Sequence, residues 1–354
     1  MADGTSTEWL DEIGQKPEDM SLKHPEYERN VALHKKIYGS MLAMAIGDAF
    51  GACVEFRPHS YMVAYPLRNL RGGGTWGLKA GQWTDDTSMA LCLAASLIVK
   101  KCFNPYDQLV RYSWWYKHGY MSSTGKCFDI GKATKDSLQE FSRRQQSFAH
   151  QNQISKKSLD FLSDGCVDKF ENDMKTACSI PGVAGNGALM RLAPLPLFFH
   201  RYPSDAVFYA GKSALLTHGD RKASDACRYY AALICAAFHG FKKDKLLNKK
   251  FYKNVSRLGW FGNDPLHQEI INIAEGSFKK RKGYDDGIRA GGYVIKALEA
   301  ALWAFWSDKE SFEKGVLLAV NLGDDTDTIA AIYGQLAGAV YGYDRLPSEW
   351  EDIN

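Results

Sequence analysis

The sequence predicts an all-α fold built as a single domain. Apolar residues recur at helical spacing along most of the chain, several of these runs are rich in alanine and glycine, and the alternating apolar and polar pattern of strands is scarce. With 354 residues, 45% of them hydrophobic, the chain is long enough to bury a large core. Its eight cysteines show no Cys-x-x-Cys spacing, so we expect reduced side chains within the core.

The helices follow from the periodicity, taken in chain order. The first runs from Val31 to about Gly47, and a glycine-containing turn then carries Asp48 and Glu55 into a loop. Residues 66–83 contain five glycines and little periodicity, which predicts a long loop. Residues 88–101 are apolar nearly all round, as in a helix surrounded by other helices. Further helical signals cover 106–116, 132–141, 187–199, 205–217, 223–239, 265–280, 290–306, 311–321 and 329–341.

The chain divides by composition into an extension and a domain. Residues 1–34 form a polar N-terminal extension, and the domain is predicted to cover residues 35–345, with 143–172 as an exposed insertion. The N-terminus lacks a basic segment followed by an apolar one, and no stretch reaches about 18 apolar residues, so we expect a cytoplasmic protein without a membrane span. The net charge of +3 gives no indication of nucleic-acid or membrane-surface binding.

Two clusters of threonine and aspartate stand directly before predicted helices. They are Thr84-Asp85-Asp86-Thr87 and Asp324-Asp325-Thr326-Asp327-Thr328, about 240 residues apart. A helix start needs only one side-chain oxygen as a cap, so each cluster alone could be a cap. Two carboxylates about 4 Å apart repel by roughly 4 kcal/mol at an effective dielectric of 20, a cost that a cation would remove. All-oxygen ligands favour a hard ion such as Mg²⁺.

Four further segments accompany the clusters, and their order carries a resemblance. They are Gly47-Asp48-Ala49 with Val54-Glu55-Phe56, Phe128-Asp129-Ile130-Gly131, Gly185-Asn186-Gly187-Ala188-Leu189-Met190-Arg191, and Leu216-Thr217-His218-Gly219-Asp220. From about Lys36 to Gly342 the chain resembles the ADP-ribosylglycohydrolase family. The dinitrogenase-reductase-activating glycohydrolase branch is the most similar, because residues 81–87 and 321–328 match its pattern.

The resemblance implies an orthogonal helical bundle with a dinuclear metal centre that cleaves ADP-ribose from an acceptor side chain. The centre would hold two Mg²⁺ ions, with Mn²⁺ as the alternative, and Asp325 or Asp327 would bridge them. Asp324 would support the metal ligands without binding a metal itself, or it would cap the helix. The metal ligands that the resemblance implies are Thr84, Asp85, Asp86, Asp325, Asp327 and Thr328. It also implies a catalytic role for Asp86 and Asp325.

The resemblance also assigns catalytic and substrate-binding roles. Glu55 matches a mobile glutamate and Asp129 a proposed general base, and which of them handles the proton stays open. From the residues alone, Glu55 could be an ordinary loop carboxylate and Asp129 a helix cap. The implied substrate contacts are Gly131, Gly185, Asn186, Gly187, Met190, His218 and Tyr293.

Several of these substrate contacts have simpler interpretations. The Gly185–Gly187 turn could approach a pyrophosphate or be only a turn. His218 could be a packed or capping residue instead of a pocket contact. Arg191 could pair with a phosphate or with a structural carboxylate. Tyr293 could stack on adenine, although most aromatic residues of the chain must be core.

The favoured hypothesis is a hydrolase that releases ADP-ribose from ADP-ribosylarginine in a modified protein partner. Hydrolysis of O-linked ADP-ribose, on serine or an acetyl group, is the nearest alternative. A non-catalytic, crystallin-like ADP-ribose-binding member would be expected to lack ligand aspartates, which this chain retains. A phosphohydrolase could use the same two metals and would release AMP.

Overall fold

The computed structural model describes residues 31–350, and within this range the chain is all-helical, as predicted. No strand forms in the described range, where the only extended pairings are isolated bridges, Gly73 with Leu78 and Gly185 with Tyr293. The α-helices are α1 (Val31–Gly51), α2 (His59–Ala64), α3 (Asp85–Lys100), α4 (Pro105–His118), α5 (Lys132–Asn152), α6 (Asp164–Asp173), α7 (Gly187–Met190), α8 (Pro194–Phe198), α9 (Pro203–Leu215), α10 (Arg221–Phe238), α11 (Lys243–Leu246), α12 (Phe251–Arg257), α13 (Gln268–Ala274), α14 (Val294–Ser307), α15 (Phe312–Val320) and α16 (Thr326–Tyr341). Short 3₁₀ turns cover Lys156–Phe161, Gly283–Asp286, Tyr343–Arg345 and Ser348–Trp350.

The close antiparallel packing of α1 against α16 forms the centre of the fold. Gly39, Gly47 and Gly51 recur on one face of α1, and Gly334 and Gly338 lie on the facing side of α16. A Cβ atom on Gly47 would stand 2.3 Å from the Ala330 carbonyl oxygen, so the two backbones are in direct contact there. This pairing brings the C-terminal end of α1 beside the N-terminal end of α16, where the second acidic cluster begins.

The first helix differs from its prediction in one important respect. It continues to Gly51 instead of ending near Gly47, so Asp48 is a fully buried helical residue and not a loop residue. Helix α1 continues because its glycine face packs against α16, and this tertiary contact outweighs the low helix propensity of glycine. Glu55 does lie in the turn that follows.

The segment 143–172, expected to be an exposed insertion, contributes to the core on its inner face. It contains the end of α5, a 3₁₀ turn and most of α6. Phe148 and Phe170 are fully buried, and the Phe170 ring centroid lies 4.9 Å from that of Tyr106 on α4. The outer face is exposed, as expected. The domain limits and the status of this segment as an insertion stay predictions.

Other predictions fall partly outside the described range. The polar extension 1–34 lies there except for Val31, Ala32, Leu33 and His34, which belong to α1. None of the helices in residues 31–350 is long and apolar enough to cross a membrane. All eight cysteines lie within the described range as free thiols, and five of them, including Cys92, Cys227 and Cys235, are buried as predicted. The expectation is wrong for Cys102, which is exposed, and Cys127 and Cys166 are only partly buried.

Candidate active site

A cluster of carboxylates forms where the C-terminal end of α1 meets the N-terminal ends of α3 and α16. Apart from Asp129 and Asp325, which are partly exposed, its members are buried. Within residues 31–350, none of them has a lysine, arginine or histidine nitrogen within 4.0 Å. The members are Asp48, Glu55, Asp85, Asp86, Asp129, Asp325 and Asp327.

Asp48 organises the first acidic cluster from the neighbouring helix. Its Oδ1 atom accepts the Thr84 amide and hydroxyl, both at 2.9 Å, and its Oδ2 atom accepts the Thr87 amide at 3.0 Å and hydroxyl at 2.6 Å. Thr84 is the N-cap of α3, but its side chain caps nothing. Asp48 therefore caps α3 from outside, so the carboxylates of Asp85 and Asp86 are not needed as caps.

The second acidic cluster stands at the N-terminal end of α16, and its N-cap side chain, like that of α3, does not cap the helix. The N-cap is Asp325, so the alternative that Asp324 is the N-cap is wrong; Asp324 is exposed and has a positive φ of 58°. The Asp325 side chain makes no capping bond to its own helix. Its Oδ2 atom instead accepts a hydrogen bond from the side-chain amide of Asn186 at 2.7 Å. The Thr326 hydroxyl donates to the Gly51 carbonyl at 2.9 Å, which fixes this helix start to the end of α1.

Glu55 is held beside the cluster by paired backbone bonds. The Phe56 amide donates to the Asp324 carbonyl at 2.8 Å, and the Asp324 amide donates to the Arg57 carbonyl at 2.7 Å. The indole of Trp76, in the glycine-rich loop, donates to Glu55 Oε2 at 3.0 Å. Glu55 is 5% exposed, so it is more than an ordinary loop carboxylate.

Asp129 approaches the cluster from the turn before α5. The N-cap of that helix is Gly131, so the interpretation of Asp129 as a helix cap is wrong. Asp129 has a φ of 59°, in the left-handed region that aspartate enters more readily than most residues. This turn directs its carboxylate towards Glu55 and Asp327.

Burial and mutual repulsion raise the pKa values of these carboxyl groups. Burial, followed by repulsion from Asp129, raises the pKa of Glu55 to about 9. Burial raises the pKa of Asp129 to about 7, against a hydrogen bond with Glu55 that lowers it. For Asp85, Asp86 and Asp327, burial and then neighbouring carboxylates raise the pKa well above the ordinary value. A cation among these groups would reverse all of these shifts.

The cluster has the donor set of a site for hard cations. Ligand oxygens of Glu55, Asp129 and Asp327 all lie within 4.8 Å of one another. Asp86 Oδ2 accepts weak bonds from the Thr84 and Thr328 hydroxyls, both at 3.3 Å, whereas its buried Oδ1 atom has no hydrogen-bond partner. A buried carboxylate oxygen without a partner is costly, and a divalent ion would satisfy it. The residues present therefore fit the implied metal.

These side chains line one end of a cavity of about 320 Å³. Glu55, Asp85, Asp129, Asp325, Asp327 and Thr328 form the acidic end, and Gly131, Gly185, Asn186, Gly187, Met190 and His218 also line the cavity. Thr84 and Asp86 lie behind this wall. Tyr293 stands at the surface, where its hydroxyl accepts a bond from Lys222 Nζ at 3.0 Å, while its neighbour Gly292 lines the cavity. The roles assigned to these residues stay predictions.

His218 lines the cavity beside the turn formed by residues 185–187. Cβ atoms on Gly185 and Gly187 would stand 3.2 Å and 2.9 Å from its ring atoms, so these glycines make room for the imidazole. Thr217 Oγ1 accepts a bond from Arg191 at 2.6 Å and lies 2.8 Å from His218 Nδ1. Since arginine can only donate, the threonine hydroxyl is free to donate to Nδ1, and we assign the ring proton to Nε2, on the glycine side.

Arg191 pairs with neither of its two expected partners. Its side chain is 1% exposed and lies over the Tyr112 ring, 4.7 Å from the centroid, with its Nε atom lacking a hydrogen-bond partner. Both the phosphate contact and the carboxylate pair considered from the sequence are therefore wrong for this conformation. Its buried charge acts on His218, whose pKa is lowered to about 3 by burial and then by Arg191.

We predict that His218 destabilises the fold as the pH falls. Its pKa is about 3 in the native state, against about 6.5 in an unfolded chain, so between these values the unfolded state binds one more proton. Stability is thus retained above pH 6.5 and lost below it, by about 2 kcal/mol between pH 7 and pH 5. Urea unfolding at both pH values should show this loss reduced by that amount in His218→Gln. The exposed His118→Gln should keep the wild-type loss, and equal losses in all three proteins would contradict the prediction.

A larger cavity, about 720 Å³, lies between α9 and α10 and carries no comparable chemistry. Four of the charged side chains that line it pair with one another. Arg228 bonds Asp225 at 2.8 Å and approaches Asp264 at 3.3 Å, and Arg221 bonds the same two aspartates at 3.2 Å and 2.9 Å. Charge pairs of this kind leave little to recognise a ligand.

The structure adds site residues that the sequence did not single out. Asp48 belonged to a recognised motif, but the helix was predicted to end too early for its capping role to be visible. Trp76 stands in the long loop predicted for residues 66–83, and long loops in compact domains are usually functional. Phe56 belonged to a recognised motif but was given no role, and Thr134 and Gly292 line the cavity without any sequence signal of their own.

Comparisons with known proteins identify the family of the chain. Residues 29–353 match a protein-family model described as ADP-ribosylglycohydrolase. The chain is 34% identical over 320 residues to the ADP-ribosylarginine hydrolase Tri1 of Serratia proteamaculans (strain 568), covering 90% of this chain and 74% of that protein. It is 27% identical to the ADP-ribosyl-[dinitrogen reductase] glycohydrolase of Rhodospirillum rubrum, covering 90% of each. A solved structure named ADP-ribosylglycohydrolase-related protein complex superposes with a TM-score of 0.67 at 35% identity, covering 90% of this chain and 91% of that one.

Proposed function

Because the chain belongs to the ADP-ribosylglycohydrolase family, we propose that it is a metal-dependent hydrolase that removes ADP-ribose from ADP-ribosylated arginine side chains of proteins. Family membership makes the chain a hydrolase of this kind. The observation that carries the proposal is the group of largely buried carboxylates at the 320 Å³ cavity, which have no cationic partner among residues 31–350. Such a site is suited to a ligand that brings positive charge.

The proposed centre holds two Mg²⁺ ions, with Mn²⁺ as the alternative. Support comes from the all-oxygen donor set, from the unpartnered Asp86 Oδ1 atom and from the proximity of Asp327 to Glu55 and Asp129. When bound, the ions would supply positive charge for orienting the ribose hydroxyls and polarising a water. The proposed ligands are Thr84, Asp85, Asp86, Asp325, Asp327 and Thr328.

The proposed reaction breaks the bond between the anomeric carbon of the terminal ribose and a guanidinium nitrogen of arginine. A water oxygen forms the new bond to that carbon, one water proton passes to a carboxylate, and the leaving nitrogen gains a proton. The products are free ADP-ribose and unmodified arginine. Glu55 and Asp129 are placed to handle the protons, and the surrounding carboxylates stabilise the positive charge that develops on the ribose.

The other residues that line the cavity are suited to the rest of ADP-ribose. We propose that the Nε2–H group of His218 donates a hydrogen bond to the pyrophosphate, since the ring is neutral and faces the 185–187 turn. Gly131, Asn186 and Met190 line the remaining wall. Asn186 also holds Asp325 through its 2.7 Å bond, which couples the substrate wall to the acidic end. Tyr293 is proposed as the adenine contact at the rim.

The arginine linkage is proposed on two grounds. Glu55 and Asp129 stand together at the acidic end of the cavity, and a carboxylate pair favours a cationic acceptor over a neutral one. The relatives from Serratia proteamaculans and Pseudomonas putida (strain GB-1) both carry the name ADP-ribosylarginine hydrolase. A serine or acetyl acceptor would gain nothing from this charge.

We predict that the purified protein with Mg²⁺ or Mn²⁺ releases intact ADP-ribose from an arginine-ADP-ribosylated peptide. Turnover should be at least about ten-fold slower on serine-linked and O-acetyl-linked ADP-ribose, because a difference of about 1.4 kcal/mol in transition-state binding gives that ratio. Chromatography of the released nucleotide, with excess EDTA as the control, measures both linkage and metal dependence.

Each other outcome of this experiment identifies a different function. Faster release from the serine or acetyl linkage would make the protein an O-linked hydrolase. Release of AMP would indicate cleavage at phosphorus, and binding of ADP-ribose without turnover would indicate a non-catalytic family member. Unchanged activity in excess EDTA would contradict the metal centre.

A further inference from the structure

Three aromatic side chains stand beside the proton-handling carboxylates and have no role in the function proposed so far. They are Phe56, Trp76 and Phe128, which we name the aromatic collar. Phe56 is 59% exposed and lines the cavity, whereas Trp76, which is 40% exposed, and Phe128 lie outside the cavity lining and stand beside it next to Glu55 and Asp129. Phe128 is half-buried and directly precedes Asp129. Exposed aromatic residues around a polar site are unusual unless they contact a ligand.

The three residues of the collar come from three separate loops, and two of their rings are in contact. The Trp76 and Phe128 ring centroids lie 5.7 Å apart at 56°, and the Trp76 indole nitrogen donates to Glu55 Oε2 at 3.0 Å. This bond satisfies the only polar atom of the Trp76 side chain. The ring is therefore fixed in position while much of it stays open to solvent.

Backbone structure holds both exposed rings in place. Trp76 lies in a tight turn closed by reciprocal amide bonds between Gly73 and Leu78, at 2.7 Å and 3.0 Å. Gly74, at the base of this turn, packs so closely on Ala52 that a Cβ atom would stand 2.5 Å from the Ala52 carbonyl oxygen. Phe56 has a positive φ of 64°, which is uncommon for a bulky residue, and its amide is bonded to Asp324. Strain of this kind is usually retained for function.

Aromatic faces next to carboxylates form a typical site for a planar cation. A guanidinium is weakly hydrated, stacks on aromatic rings and is attracted by their negative faces. Glu55 and Asp129 supply the opposite charge within the same corner of the cavity. Because Glu55 and Asp129 are the groups proposed to handle protons at the scissile bond, aromatic rings beside them would lie next to the acceptor.

We propose that the aromatic collar is the acceptor subsite, where Phe56, Trp76 and Phe128 hold the guanidinium group of the modified arginine during cleavage. The proposal rests on the proposed function and adds the residues that select the acceptor. The guanidinium is cationic in the bound substrate, and its positive charge passes to the ribose as the bond to the anomeric carbon breaks, so the leaving nitrogen must then gain a proton. The collar therefore contributes mainly to ground-state binding, and its loss should raise KM without by itself lowering kcat.

The test compares Trp76→Leu with Trp76→Phe. For an ADP-ribosylarginine peptide with Mg²⁺, Trp76→Leu should raise KM by about five- to thirty-fold, the range for loss of a cation–π contact between exposed and desolvated sites. Both variants lose the bond to Glu55, so kcat should fall to a similar extent in the two, within about three-fold of each other. Trp76→Phe keeps an aromatic face but loses the bond to Glu55, so its KM should rise by less than about five-fold. The affinity for free ADP-ribose, measured by calorimetry, should change by less than about two-fold in both variants.

The matched control is Tyr202→Leu, which removes an aromatic residue that is 64% exposed and stands at the N-cap of α9. It should leave KM unchanged. If Trp76→Leu weakens free ADP-ribose as much as it raises KM, or leaves KM unchanged, the collar is not an acceptor subsite. If the wild-type protein releases no ADP-ribose from the arginine peptide, the proposed function fails and the subsite fails with it.

Discussion

Replacing Asp327 with asparagine is expected to lower kcat/KM on ADP-ribosylarginine by at least about 100-fold, the lower end of the range for losing a group essential to proton transfer or ion binding. The side chain is 1% exposed, and its carboxylate lies within 4.8 Å of Glu55 and Asp129. Asparagine keeps the shape and can still accept the Thr328 amide bond, which Asp327 Oδ1 receives at 2.9 Å. The substitution therefore removes charge from the proposed centre with little change in packing.

The same variant should change thermal stability in two opposite ways. Without metal, burial and repulsion raise the pKa of Asp327 well above its ordinary value, which makes this carboxyl group destabilising at neutral pH because the folded state must either bury its charge or bind a proton. The neutral amide should therefore raise the unfolding temperature. With Mg²⁺ added, the wild-type protein should gain about 2.7 kcal/mol when the ion is 100-fold above its Kd, whereas the variant should gain little. Scanning calorimetry in EDTA and in excess Mg²⁺ measures both effects. A residue that only supported the fold would destabilise both states when replaced.

Asp324→Asn is the matched control, because it makes the same chemical change in the same loop. Asp324 is exposed, and asparagine tolerates its positive φ of 58°. Turnover and the response to Mg²⁺ should both stay close to wild type. If Asp327→Asn keeps its Mg²⁺ stabilisation and turns over within about three-fold of wild type, Asp327 is not a metal ligand.

The acidic clusters and most helices could be predicted from the sequence because both depend on local patterns. Helix α3 was expected at 88–101 and is observed at Asp85–Lys100, and the polar start of each site helix is visible in the residue types alone. The boundaries were less accurate where tertiary packing decides them. Helix α1 extends to Gly51 because its glycines meet α16, and nothing local to residues 47–51 indicates this contact.

Roles that depend on distant partners were not predictable. Asp48 caps a helix 36 residues further along the chain, and Trp76 holds Glu55 across 21 residues. Arg191 was expected to meet a negative charge, yet it lies in the core over Tyr112 and bonds Thr217. In each case the chemistry of the side chain was evident, but its partner is set by the way the helices pack.

The contact between α1 and α16 leads to the second large expected effect. We predict that Gly47→Ala and Gly334→Ala each destabilise the protein by at least about 3 kcal/mol, the upper part of the range for overpacking. The new Cβ atoms would stand 2.3 Å from the Ala330 carbonyl oxygen and 2.2 Å from the Ala43 carbonyl oxygen. Both clashes involve backbone, which cannot move aside as a side chain does. Alanine favours a helix by only about 1 kcal/mol over glycine, so the clash outweighs the gain in propensity.

Gly165→Ala on α6 is the matched control, because it makes the same change in a helix where a Cβ atom would meet nothing within 4 Å. That variant should be unchanged or up to about 1 kcal/mol more stable. The sign of the change in the free energy of unfolding therefore tells a backbone clash, which destabilises, from helix propensity, which stabilises. Chemical denaturation of the three variants measures it. Loss of activity should accompany loss of stability in Gly47→Ala, since separating the helices moves Asp48 away from the start of α3 and Gly51 away from Asp327. If Gly47→Ala and Gly334→Ala are as stable as wild type, the helices do not approach this closely in solution, and the geometry that brings the two acidic clusters together must have another origin.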